Sequence, residues 1–118
     1  MNLCLPDYEE GLLNVSASLS NYFGVDSPYP THPVVDEWLR KKPDNVFVVL
    51  IDAMGSKIME RHLPPDSFLM THMVSQITTV YPPTTAAATT MMLNGIAPIS
   101  SGWIGWQQYF PEADDHRI

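Results

Sequence analysis

The run Val46-Phe47-Val48-Val49-Leu50-Ile51 constrains this chain more than any other stretch. All of its side chains are apolar and most are β-branched, so a strand built from them has no face to offer water and must be covered on both sides. Helices packed on both faces of a mainly parallel sheet supply such cover. Residues 46–51 are therefore expected to form a strand of an α/β fold.

The flanking sequence extends that pattern. Asp52-Ala53-Met54-Gly55 follows the run, and an amphipathic stretch over 56–63 ends at Pro64-Pro65, which together read as strand, turn and helix. Residues 67–73 add a helical turn or two, and 75–81, through Ile77-Thr78-Thr79-Val80, read as a second strand stopped by Pro82-Pro83. Residues 84–93 are small and rich in Ala and Met, a helix ended by Asn94-Gly95. Upstream, Tyr8, Leu12, Val15, Leu19 and Tyr22 recur at helical spacing, which predicts a helix over 6–23, opened by Pro6-Asp7 and closed by Gly24. Pro28, Pro30 and Pro33 make a connector, and a short helix is expected over 34–41.

The organisation expected is one partial domain over 1–118, with an N-terminal helical extension (1–44) and a strand-helix-strand-helix portion (45–118). After Ile96 the periodicity is lost among Trp103, Trp106, Tyr109 and Phe110. A pair of strands cannot make a sheet that is buried on both faces. The chain is thus expected to be the N-terminal part of a larger α/β protein, or to form a homo-oligomer through exposed strand edges.

Charge narrows the function. With 6 Lys+Arg against 13 Asp+Glu, the formal charge is -7. No basic stripe is available for a phosphate backbone, so nucleic-acid scaffolding is excluded. The same charge repels a small phosphorylated substrate unless a bound cation inverts the local field. Phosphate chemistry here would need a metal. The lone Cys4 cannot close an intrachain disulfide, the N-terminus lacks a basic n-region, and no apolar run exceeds 46–51. A cytoplasmic protein without membrane spans is expected.

Two places could carry chemistry. Asp52 stands at the carboxyl end of the expected strand, where ligands bind in open α/β sheets, and a carboxylate there is suited to a divalent cation. The same residue could equally cap the helix that starts near Gly55. The second place is Pro82-Pro83-Thr84-Thr85-Ala86-Ala87-Ala88-Thr89-Thr90, where free amides and the helix dipole favour an anion. A Thr hydroxyl is a poor nucleophile at neutral pH, and a cation held by Asp52 could activate it; alternatively Thr84 or Thr85 only caps the helix. Asp114-Asp115-His116 has no second His at a useful spacing and reads as a solvated acidic tail. His32, His62 and His72 are isolated, Gly55-Ser56-Lys57 lacks the spacing of a phosphate loop, and the methionines read as core filling.

The order of these motifs adds a resemblance. The apolar run ending in Asp52-Ala53-Met54-Gly55 is followed by Tyr81-Pro82-Pro83-Thr84-Thr85-Ala86-Ala87-Ala88-Thr89-Thr90, by Asn94-Gly95-Ile96-Ala97-Pro98 and by a Gly-Trp pair. Over residues 46–106 the chain resembles the N-terminal part of the alkaline phosphatase superfamily, in particular its type I phosphodiesterase and nucleotide pyrophosphatase branch. The resemblance implies a mainly parallel sheet flanked by helices. It implies a metal-dependent hydrolase of phosphodiester or pyrophosphate bonds, acting on a small phosphorylated substrate, nucleotides included.

Residue by residue, the resemblance makes Asp52 a metal ligand and Thr85 the nucleophile that also touches metal, with Thr84 its neighbour. It implies two zinc or zinc-like ions whose other Asp and His ligands come from later strands, beyond residue 118. Ser101-Gly102 stands where many relatives carry His-Gly, and Ala88 where animal-type members carry Asn, so substrate preference does not carry over. The alternatives are a phosphatase, sulfatase or phosphomutase of the same superfamily, or a non-catalytic truncated domain that pairs with another chain. Zinc enzymes usually supply three protein ligands, so with Asp52 and Thr85 alone this chain is expected to bind zinc weakly and to be inactive.

Overall fold

The computed structural model describes residues 5–113 and 115–117. Its elements, in chain order, are α1 (Leu12–Tyr22), α2 (Pro33–Leu39), α3 (Ser56–His62), α4 (Phe68–Thr71), α5 (Thr85–Asn94), α6 (Pro98–Ser101), β1 (Gln108–Phe110), a 3-10 turn (Pro111–Ala113) and β2 (Asp115–Arg117). Among the described residues the only sheet is the antiparallel pair β1 and β2, in which Tyr109 faces His116.

The α/β expectation is overturned. Residues 46–51 form neither helix nor strand, and 75–81 contribute no more than an isolated parallel bridge from Thr78 to Gly11. A strand exists only when a second backbone completes its ladder, and no described segment does this for 46–51. Its side chains are left in water: Phe47 is 87% and Val49 80% exposed. The strand pair lies near the C-terminus, and its second strand includes Asp115 and His116 of the segment read as a solvated acidic tail. Asp114 lies outside the described residues.

The helices follow local sequence more closely. α1 starts later than its stripe predicts because the Asp7 carboxylate accepts the amides of Glu9 (2.9 Å) and Glu10 (3.3 Å), turning the chain before Gly11. The Asn14 side chain then accepts the Gly11 amide at 2.7 Å and donates to the carbonyls of Tyr8 and Pro30, so this buried amide side chain is well satisfied. α2 has Pro33 at its first position, where a missing N–H costs nothing. α5 ends on Gly95, whose φ of 65° needs a residue without a Cβ.

The core lies between α1 and α5: Leu13, Val80, Ala87, Met91 and Ala97 are buried together, with Leu12, Tyr29 and Ala88 against them. Small residues let these helices approach. Ser16 donates to the Met92 carbonyl at 2.9 Å, and a Cβ added to Gly95 would sit 3.5 Å from Ser16 Oγ. Part of the apolar stripe of α1 faces elsewhere: Val15 and Leu19 share a cleft with residues 45–49, while Leu12, packed against the core, also lines a second cleft with Leu50 and Ile51. Of Met54, Met59, Met70, Met73, Met91 and Met92, the methionines expected as core filling, Met91 and Met92 are buried whereas Met54 and Met73 are exposed. Among the described residues no helix is long and apolar enough to cross a membrane.

Candidate functional site

Asp52 and Thr85 meet. Thr85 Oγ1 donates to Asp52 Oδ1 at 3.3 Å across a sequence separation of 33 residues. They stand at a cleft of about 390 Å³ whose wall is made by residues 50–55 on one side and by Pro83, Thr84, Thr85, Ala88 and Thr89 on the other, with Leu12 and Thr79 completing it. Asp52 is the only ionisable side chain in that lining.

The backbone explains how the carboxylate gets there. Asp52 Oδ1 also accepts the Ala53 amide at 2.8 Å, while Ala53 has a φ of 56°, in the left-handed region where an alanine is strained. The chain therefore turns sharply straight after Asp52. α3 begins beyond that turn with Gly55 at its N-cap and no side-chain cap. Asp52 does not cap α3, and its carboxylate is directed at Thr85 instead.

The two threonines divide the work at the start of α5. Thr84 is the N-cap: its Oγ1 accepts the Ala87 amide at 3.2 Å and donates to the Ile104 carbonyl at 3.2 Å. Thr85 is the first residue of the helix, and its hydroxyl takes no part in capping. The amides at the start of a helix have no carbonyl one turn earlier, so Thr85 and Ala86 offer N–H groups at the positive end of the helix dipole. Thr89 donates back to the Thr85 carbonyl at 2.7 Å, fixing the first turn from below.

Two features of the site are not legible in the sequence. Nothing about an alanine announces the positive φ of Ala53. The tie from Thr84 to Ile104 spans 20 residues, and no periodicity links them. Ser101, which stands where many relatives of the resembled family carry His, donates to the Pro98 carbonyl at 3.4 Å.

Among the described residues no group of three or more His, Cys, Asp or Glu comes together. Asp52 and Thr85 supply an oxygen pair, and oxygen donors of this kind suit a divalent cation. No family model, curated protein or solved structure matches this chain.

Proposed function

We propose that this chain carries the nucleophile of a metal-dependent hydrolase of phosphodiester or pyrophosphate bonds, with Thr85 as nucleophile and Asp52 as its partner and as a metal ligand. The observation that carries this reading is the 3.3 Å bond between Thr85 Oγ1 and Asp52 Oδ1 at the N-terminal end of α5. The motif order over residues 46–106, similar to that of the type I phosphodiesterase branch, supports it independently.

Asp52 and Thr85 are the residues of this chain that would hold one of two zinc-like ions. When bound, such a cation lowers the pKa of a hydroxyl and offsets the charge of the phosphoryl oxygens. The chain's own residues do the rest. Asp52 Oδ1 orients the Thr85 hydroxyl and takes its proton as Thr85 Oγ1 forms the bond to phosphorus; the bond from phosphorus to the leaving oxygen breaks, and that oxygen takes a proton from water. The amides of Thr85 and Ala86 face the anion. Hydrolysis of the resulting phosphothreonine ester by water returns the free hydroxyl.

Thr85→Ala is expected to lower hydrolysis of a chromogenic phosphodiester by at least about a hundredfold, measured with zinc in the complete protein. Normal turnover in a folded Thr85→Ala variant would refute the nucleophile. Asp52→Asn is expected to weaken zinc binding while changing metal-free stability by less than about 1 kcal/mol, since this exposed carboxylate caps no helix. A second reading, a domain that associates with another chain, is favoured by the exposure of Phe47 and Val49.

A further inference from the structure

A thioether is among the most readily oxidised groups in a protein, and the fold sorts this chain's methionines by what a peroxide can reach. Met91 and Met92 are buried between α1 and α5, whereas Met54 is 36% and Met73 42% exposed. The two exposed side chains differ in place. Met54 lines the cleft that holds Asp52 and Thr85, and among the described residues it is the only sulfur in that lining; Met73, beyond the end of α4, has no part in it.

Backbone geometry puts Met54 there. It follows Ala53, whose φ of 56° turns the chain straight after Asp52. Its Cα lies at most about 7.6 Å from that of Asp52, the reach of two peptide units. Leu50, Ile51, Ala53 and Met54 make this wall of the cleft apolar. A thioether suits such a wall, because its sulfur is a weak acceptor and carries no charge. A sulfoxide does not, since it is polar and its oxygen is the negative end of the S–O dipole.

We propose that Met54 is an oxidation site, at which hydrogen peroxide forms a sulfoxide that weakens binding of a phosphoryl anion in the cleft. The inference rests on the functional reading above. In the step, the Met54 sulfur lone pair attacks one peroxide oxygen; an S–O bond forms as the O–O bond breaks, and the proton on the transferred oxygen joins the departing hydroxide to give water. Sulfur loses two electrons and peroxide gains them. Methionine sulfoxide reductases return the product to the thioether with electrons from a thiol. The added oxygen opposes an anion at Thr85 in two ways. Its partial negative charge repels the phosphoryl oxygens, and the water it draws to an apolar wall raises the local dielectric, which weakens the bonds from the helix amides to the anion.

The test is calorimetric titration of the full chain with inorganic phosphate, in excess zinc and in a Cys4→Ser background that removes the one thiol. Peptide mass mapping after hydrogen peroxide is expected to find sulfoxide at Met54 and Met73, with Met91 and Met92 unmodified. The oxidised protein should bind phosphate severalfold more weakly. Methionine sulfoxide reductases with dithiothreitol, removed before titration, should restore the affinity. Met54→Leu should bind phosphate equally before and after peroxide, while Met73→Leu should still show the loss. Zinc and phosphate together should slow oxidation of Met54 and leave that of Met73 unchanged.

A loss of affinity that persists in peroxide-treated Met54→Leu would overturn the proposal. So would a Met54 sulfoxide protein that binds phosphate as before, or a Met54 that peroxide leaves intact. Each of these results leaves the functional reading standing. An untreated protein that binds no phosphate in excess zinc would overturn that reading and this inference with it.

Discussion

At the scale of single residues, Thr84 and Thr85 are adjacent and chemically identical, and their surroundings give them opposite tasks. Thr84 satisfies the Ala87 amide and the Ile104 carbonyl, so Thr84→Ala removes an N-cap and should cost about 1 kcal/mol of stability. Thr85→Ala removes one bond to an exposed carboxylate and should change stability by less than about 0.5 kcal/mol. Urea unfolding of the two variants checks the assignment, and the reverse order of stability would show that the cap is misplaced. His32 makes a different case. It is 2% exposed, its backbone amide donates to Ser18 Oγ at 2.8 Å, and neither ring nitrogen has a partner among the described residues. An apolar side chain of similar size avoids that desolvation, so His32→Leu is expected to raise the unfolding free energy by about 1 kcal/mol. A loss of stability in that variant would mean the imidazole is bonded in solution.

At the scale of elements, the approach of α1 to the Thr78 segment depends on Gly11. Its amide meets Asn14, the following Leu12 amide donates to the Thr78 carbonyl at 2.9 Å, and a Cβ at Gly11 would collide with the Asp7 carbonyl oxygen. Gly11→Ala is expected to cost more than about 1 kcal/mol and to lower the midpoint of thermal unfolding; an unchanged midpoint would show that the turn before α1 can shift freely. The helices were largely legible in the residues because their signals are local. Pro33 starts α2, Pro64 follows the end of α3, and Gly95 ends α5, each within a turn of where the pattern places it. The face that α1 buries was not legible. The stripe of Leu12, Val15 and Leu19 is half-buried, whereas Leu13, Ser16 and Ala17 are buried, with Ser16 bonded into α5. Close helix contact selects small side chains over large apolar ones, and a hydrophobic stripe does not report that preference.

At the scale of the whole molecule, the accessible surface is 8976 Å², against about 6,400 Å² for a compact protein of this mass. The radius of gyration is 16.1 Å, where a compact domain of this length has about 13.5 Å. The excess is in keeping with a chain whose most apolar run is in water: Phe47 to Ile51 are all at least 46% exposed. Light scattering is therefore expected to show association that grows with protein concentration. Replacing Phe47 and Val49 together by Lys should suppress it, because each charge would have to be buried in the contact. A chain that stays monomeric over a hundredfold range of concentration, with or without these substitutions, would show that the run is covered in solution.

What the sequence by itself determined is what can be settled within a turn or two of backbone: where helices start and stop, that Asp52 follows an apolar run, and that a Thr-Thr pair opens the helix after Pro82-Pro83. Tertiary structure decided which Thr caps and which faces Asp52, because that choice depends on the turn at Ala53 and on Ile104, 20 residues from Thr84. It also decided that, among the described residues, no parallel sheet forms around 46–51. The composition of 46–51 records a demand for cover on both faces, but a strand is made by hydrogen bonds to another backbone, and a segment's own residues cannot supply that partner.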